Sequence, residues 1–236
     1  MNKPEKKTPQ AARPPALFMT ATPLGNLGDI TARALETLKT AGLVACEDTR
    51  RTLALLTHFD IKTKLISCRQ ANEKAAAQKV IAALRAGMCV AYVSDAGSPG
   101  ISDPGAALAR LVCEGGFPVI PVPGPSAFAA LVGVAGASDK TVVFEGFLSP
   151  KQGRRRTRLR ELLDFGAAFV LYESPYRIVK LMGDLAEMGG ERYCCIGREM
   201  TKLHEEYLRG SVIDVYKTLF SAEKQLGEFA VFVSGR

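Results

Sequence analysis

Tryptophan is absent from this sequence, histidine occurs only at 58 and 204, and aromatic residues make up 7% of the chain. Two distant histidines without HExxH spacing offer a zinc centre little to build on. Six cysteines stand at 46, 68, 89, 113, 194 and 195, and none forms a CxxC pair. A secreted disulfide scaffold would be shorter and denser in cysteine, so these read as reduced, mostly buried thiols of a cytoplasmic protein. Long apolar runs are missing too. The longest are strand-sized, far short of the ~20 residues that span a bilayer. The first fifteen residues contain no apolar signal core and four prolines, so they read as a flexible basic arm (1–15), not a secretory leader.

What is present suits a packed globular chain. Apolar residues are 47% and charged residues 23% of 236, enough to build a core and to exclude wholesale disorder. Lys and Arg exceed Asp and Glu by 31 to 24, a formal charge of +7. Lys3, Lys6, Lys7 and Arg13 against Glu5 place +3 of that in the arm and leave +4 for the body. This mild bias fits a polyanionic partner and fits a solubility charge equally well.

After residue 15 short apolar segments alternate with amphipathic ones. ALFMTA (16–21), LVAC (43–46), KLIS (64–67), MCVAYV (88–93) and PVIPV (118–122) read as strands. Between them Leu35 and Leu38, then Ala77, Val80, Ile81 and Leu84, then Ala107, Leu108, Leu111 and Val112 mark helical faces. Such βαβ alternation predicts a mostly parallel sheet covered on both faces. The second half repeats it with TVVFE (141–145), AAFVLYE (167–173), RYCCIG (192–197) and EFAVFV (228–233). An exposed extra strand near Glu205–Arg209 makes that sheet mixed. Two α/β domains are expected, 16–120 and 121–236, divided near PVPGPSA (121–127).

Ligands of open parallel sheets bind beyond the carboxyl ends of the strands, which draws attention to three loops. ATPLGNLGDIT (21–31) offers Gly25 and Gly28, with Asp29 or Thr31 to cap the next helix. It is neither GxGxxG nor a P-loop. SDAGSPGISDPG (94–105) packs three glycines and two prolines into twelve residues, a stiff shelf for a small polar ligand. Asp95 there can accept hydrogen bonds, while Asp103 suits a helix cap ahead of Pro104. PVPGPSA presents Ser126 at a helix start.

Two charged clusters stand beside these loops. CEDTRRT (46–52) puts Glu47, Asp48 and Arg50 just after a strand, with helix capping as the competing role for Asp48. KQGRRRTRLR (151–160) carries six basic residues and no acid. Arg154, Arg155, Arg156 and Arg158 would oppose a helix macrodipole at its N-terminus, which argues for phosphate binding over a plain solvated face.

These segments, together with EGFL, YESPYR and RExTKxxEE in the same order, resemble the 16S ribosomal RNA 2′-O-ribose cytidine methyltransferases, a branch of the tetrapyrrole methylase superfamily. The resemblance runs from about Met19 to the C-terminus. It implies two α/β domains with S-adenosylmethionine in the cleft between them, in a homodimer. The partner implied is 16S rRNA of the small ribosomal subunit, methylated on a cytidine ribose in the decoding region. Carried over by motif, Pro23, Asp95, Ala96, Gly97, Ile101, Ser126 and Ala127 would line the cofactor, and Tyr172 and Glu173 would complete the wall. Arg50, Arg154, Arg155, Arg156, Arg158 and Arg177 would meet RNA.

Two departures matter. The loop after the third strand reads SCRQANE (67–73), so the histidine the family often carries there is missing while Asn72 and Glu73 remain. The sequence also ends just after its last strand, where many members carry a further small segment, and the arginine cluster or the arm would then have to grip RNA. The expected reaction is an in-line methyl transfer from a sulfonium, which requires no metal. Glu47 or Asp48 is expected as the base, with Lys202 or Arg50 as polarising or phosphate-binding partner. A tetrapyrrole C-methyltransferase and a non-catalytic RNA-binding assembly factor are the alternatives.

Overall fold

The computed structural model describes residues 14–221 and 225–235; most of the arm expected at 1–15 lies outside them. The chain divides into two compact units. One holds the chain through Pro23 and then Gly28–Gly124; the other holds Leu24–Leu27 and everything from Pro125. Among the described residues no helix is long and apolar enough to cross a membrane.

The first unit contains β1 (Leu17–Thr20), α1 (Ala32–Thr40), β2 (Leu43–Cys46), α2 (Thr49–His58), β3 (Leu65–Ser67), α3 (Glu73–Arg85), β4 (Val90–Val93), α4 (Ala106–Glu114) and β5 (Val119–Val122). Its five strands are all parallel, in the order β3-β2-β4-β1-β5. Alternate residues of each strand face opposite layers. Val44, Cys46, Ala91 and Val93 pack with Leu38 of α1 and Leu56 of α2. Leu17, Ala45, Val90 and Tyr92 pack with Val80, Ile81 and Leu84 of α3 and Leu108 and Val112 of α4. Central strands are therefore buried on both sides, as parallel sheets require. The segment PVIPV differs from its neighbours. It forms the sheet edge, with Ile120 and Pro121 exposed, a position where proline's missing N–H costs no ladder bond.

The second unit comprises α5 (Ala127–Ala135), β6 (Val142–Phe147), α6 (Gln152–Phe165), β7 (Ala168–Glu173), α7 (Ile178–Gly189), β8 (Tyr193–Arg198), β9 (Glu206–Ser211), α8 (Val212–Ser221) and β10 (Phe229–Val233). The sheet runs β6-β7-β10-β8-β9 and is mixed: only β6 and β7 are parallel. Helices α6, α7 and α8 cover one face through Leu159, Leu162, Leu181, Leu185, Val215 and Leu219. Leu131 and Ala135 of α5 fill the other against Val170, Cys195 and Phe232. Helix α8 has no counterpart in the sequence reading.

One expectation is corrected. Asp103 does not cap the helix after the glycine-proline shelf. Helix α4 begins at Ala106, and its cap comes from another helix. The buried carboxylate of Glu73, first residue of α3, accepts the backbone N–H groups of Gly105 and Leu108 through one oxygen, both at 2.9 Å. Gly105 has φ of 126°, and a Cβ there would stand 2.6 Å from the Tyr92 ring, so only glycine fits. The Tyr92 hydroxyl in turn donates to the Pro104 carbonyl at 2.8 Å.

Replacing Glu73 by Ala leaves two buried N–H groups without an acceptor and should cost about 1–3 kcal/mol. Gln, which keeps an acceptor oxygen, should cost less. Urea unfolding of both variants followed by circular dichroism checks the order.

Candidate active site

Strands β2 and β4 are neighbours whose register pairs Cys46 with Val93. Their following loops therefore leave the sheet side by side. The chain from β2 passes into α2 on one face and on to β3; the chain from β4 passes into α4 on the other face and on to β5. This divergence is a topological switch point, where open α/β sheets form their binding crevice. A cavity of about 810 Å³ lies there, lined by Glu47, Asp48 and Arg50 after β2, Arg69, Gln70 and Ala71 after β3, and Asp95, Ser102, Asp103 and Pro104 after β4.

The carboxylates in it are not equivalent. Asp48 caps α2, accepting the Arg50 backbone N–H at 2.8 Å and the Arg50 guanidinium at 2.8 and 3.2 Å. These bonds hold its pKa well below the usual carboxylate range, which makes it a poor proton acceptor. Burial pushes Glu47 the other way, helped by the negative charges of Asp95 and Asp103. Burial likewise raises Asp103, against a hydrogen bond from Ser94. Asp95 links the loops: its Oδ1 accepts the Asp48 N–H at 3.0 Å, and its Oδ2 lies 3.5 Å from the Arg51 guanidinium.

The shelf that carries Asp95 is fastened below as well as at its end. Gly97, at φ of 76°, exchanges backbone hydrogen bonds with Thr22 in both directions at 3.0 Å. That bridge brings the post-β1 loop, with buried Pro23, beside Ala96 and Gly97. Ile101 stands exposed on the same shelf. Thr31 caps α1 by accepting the Ala34 N–H at 3.0 Å.

The remaining sequence candidates belong to the second unit. Ser126 is the N-cap of α5 without a side-chain cap bond, and Ala127 opens that helix. Tyr172 meets the Phe144 and Phe147 rings edge-on at 5.1 and 5.8 Å between centroids. The Glu173 carboxylate is buried and already engaged, by Arg177 at 2.6 Å and by the Ser174 N–H at 2.8 Å. Lys202, read as a polarising group, has its ammonium 2.8 Å from both Glu199 and Glu228. Burial opposes its charge, yet the two carboxylates outweigh that and raise its pKa. The Lys202 stem also fills the space that a Cβ on Gly25 would need, and the neighbouring Thr201 hydroxyl accepts the Asn26 N–H at 3.2 Å. Lys202 is a fastening point, not a free cation.

The arginine cluster needs a similar correction. Arg155 is buried against the equally buried Asp184 of α7, at 2.6 and 2.7 Å, and cannot serve as a surface phosphate ligand. Arg156 pairs with Asp184 and Glu187, and Arg158 with Glu145 and Glu161. The acids that the local sequence lacks arrive from β6, α7 and the next turn of α6. Of the four arginines of this cluster proposed for RNA, Arg154 alone is exposed without an ion pair among the described residues. Arg69 was overlooked. It stands after β3 and donates through Nε to the Glu47 carbonyl at 3.1 Å; the strand-end rule that singled out the other loops applies to it equally. Burial pushes the Cys68 and Cys194 thiols up to about 12, so they are inert core groups.

Residues 17–215 match the profile of the Tetrapyrrole (Corrin/Porphyrin) Methylases. The chain is 42% identical over 219 residues to a ribosomal RNA small subunit methyltransferase I from Borrelia garinii, covering 92% of this chain and 98% of the relative. A Thermotoga maritima protein of the same name is 43% identical over 220 residues, with 93% and 98% coverage. Among solved structures, a cobalt precorrin-4 methyltransferase superposes with a TM-score of 0.69 at 16% identity, covering 93% of this chain and 94% of its own.

Removing Asp184 strands a buried guanidinium. Asp184→Ala should destabilise the protein by about 3–5 kcal/mol, whereas Arg158→Ala, at a half-exposed pair, should cost less than about 1 kcal/mol. Thermal unfolding of the two variants measures the contrast.

Proposed function

The chain belongs to the ribosomal RNA small subunit methyltransferase I family of the tetrapyrrole methylases, and from that premise we propose that it transfers a methyl group from S-adenosylmethionine to the 2′-hydroxyl of a cytidine in 16S rRNA. The observation that carries this reading is the meeting of Glu47 and Asp95 in one cavity at the switch point of the first sheet. A ribose hydroxyl is a weak nucleophile until its proton leaves, and the cavity holds a carboxylate suited to take it.

The shelf suits the cofactor by its donor set. Asp95 offers carboxylate oxygens to hydroxyl or amino groups, and the acidic lining favours a cation. A Cβ at Gly100, whose φ is 80°, would meet only Met19 and the Ala106 nitrogen, at 3.7 and 3.8 Å, so the backbone there is open to close approach. Pro23, Asp95, Ala96, Gly97 and Ile101 would hold the cofactor on this unit. When bound, S-adenosylmethionine supplies a methyl group on a positively charged sulfur, already activated for transfer.

Glu47 would receive the 2′-hydroxyl proton on its carboxylate, which frees the oxygen's electron pair for attack. Its raised pKa brings its basicity toward the working pH, where general-base catalysis is most effective. Asp48 does not compete for the proton, because Arg50 and the helix N-terminus stabilise its charged form. Arg50 and Arg69 line the same cavity and supply positive charge for the phosphates flanking the target ribose. Orientation supplies the larger part of the acceleration, on the order of 7–11 kcal/mol for well-aligned reactants.

The active species is read as a cytoplasmic homodimer, for which the half-exposed β5 edge with Ile120 offers an apolar face.

Glu47→Gln should lower single-turnover methyl transfer to small ribosomal subunits by about 10²–10⁴-fold and leave cofactor affinity unchanged. Because the base works deprotonated, the rate should rise with pH through the elevated Glu47 pKa. Asp95→Asn removes a negative charge beside Glu47 and should move that rise to lower pH. A profile of rate against pH for the two proteins reads the shift, and an equal rate in Glu47→Gln and the parent would refute the base assignment.

A further inference from the structure

The second unit displays aromatic rings beyond those its core uses: Phe128, Phe144 and Tyr172 pack against that core, while Phe147 and Tyr176 are exposed. Phe144 is packed between Phe128 and Tyr172, with centroids 5.3 and 5.1 Å away. Phe147, at the end of β6, meets the Tyr172 ring at 5.8 Å between centroids and remains 57% exposed. Tyr176, in the loop after β7, is 87% exposed. Strands β6 and β7 are parallel and register Phe147 beside Tyr172, so both loops leave the same end of the sheet.

Those loops are held in place from beneath. Arg177 donates to the Leu148 carbonyl at 3.4 Å while its guanidinium grips buried Glu173. Arg155 donates to the Pro150 carbonyl at 3.5 Å while it grips Asp184. Two arginines expected to meet phosphate thus fix the backbone on which Phe147 stands. Directly after it come Lys151 and Arg154, both exposed and without an ion pair among the described residues. The acids nearby are spent: Glu145 on Arg158, Glu173 on Arg177, Asp184 on Arg155 and Arg156. A solvated surface gains nothing from presenting bare rings beside uncompensated cations on a braced loop.

We propose that Phe147 and Tyr176 form a stacking ledge for an unpaired base of the RNA substrate, with Lys151 and Arg154 on the adjoining phosphates. Single-stranded nucleic acid is gripped in this way, by ring faces for the bases and positive charge along the backbone. The inference rests on the RNA reading above and adds a second point of contact to it, on the unit that does not carry Glu47. The rings are sequence-tolerant; they hold the strand open and do not choose the nucleotide.

The test uses the full chain, a fluorescein-labelled single-stranded RNA oligonucleotide and small ribosomal subunits. Phe147→Ala and Tyr176→Ala should each weaken oligonucleotide binding in fluorescence anisotropy by about 5–160-fold, the range expected for loss of one stacked base. Phe147→Leu keeps apolar bulk without a π face and should fail nearly as badly, which separates stacking from packing. Lys151→Gln with Arg154→Gln should reduce the dependence of log affinity on log salt by about 0.7 per residue. Parent-like binding and methyl transfer by Phe147→Ala and Tyr176→Ala would overturn the ledge while leaving the methyltransferase reading intact. Weakened S-adenosylmethionine binding with unchanged RNA binding would overturn it too, by giving the rings to the cofactor. A shift in sedimentation with unchanged RNA binding would give them instead to a protein contact. Failure of the unsubstituted chain to bind RNA or methylate subunits would overturn the functional reading first and the ledge with it.

Discussion

A carboxylate inside the first unit, Glu73, joins the start of one helix to the start of another, and the shelf beyond β4 hangs from that joint. Helix α4 has no side-chain cap of its own, because Gly105 precedes it and adopts a backbone conformation closed to other residues. Its first N–H groups therefore depend on an acceptor supplied by α3. Tyr92, packed in the core beneath, fixes Pro104 from below. With one end held this way and Gly97 bridged to Thr22, the stretch between can present open backbone to a ligand without collapsing onto it, and Asp95 stands just ahead of the bridge. The departure at SCRQANE acquires meaning here: the histidine is missing, but Glu73, the residue with a structural task, is present.

Charge in the second unit follows the same principle of distant compensation. Helix α6 opens on lysine and arginine, which its own macrodipole disfavours. The cost is offset by Asp184 and Glu187 on α7 and by Glu145 on β6, residues far apart in sequence. Each pair also joins two elements. Arg155 with Asp184 ties α6 to α7 in a buried setting, where removing either partner would be severe.

Most of the fold was legible because parallel strands buried on both faces announce themselves as short apolar runs, and LVAC and KLIS begin or end within a residue of their observed strands. PVIPV looked like its neighbours but lies at an edge, since strand order is not written in local pattern. The cavity was legible through the strand-end rule, which placed Glu47, Asp48 and Asp95 correctly beside one another. Roles were harder. Whether a carboxylate caps a helix or faces a substrate turns on partners such as Arg50, and whether an arginine is buried turns on an aspartate 29 residues away. Such pairings are made by tertiary structure, and periodicity carries no trace of them.

The excursion of Leu24–Leu27 bears on how the protein can be taken apart. This short stretch leaves the first unit after β1, rests on the Lys202 stem and the Thr201 hydroxyl, and returns to begin α1. A fragment cut at Gly124 would therefore lose part of its own packing, although no strand or helix is severed. The bared stem would sit above a turn in which Glu199 and Thr201 both have positive φ, at 49° and 68°, a conformation β-branched threonine resists. The two halves of the sequence are thus not interchangeable cassettes. A hybrid that joins the second half to a foreign first half would have to carry the glycine of that loop with it.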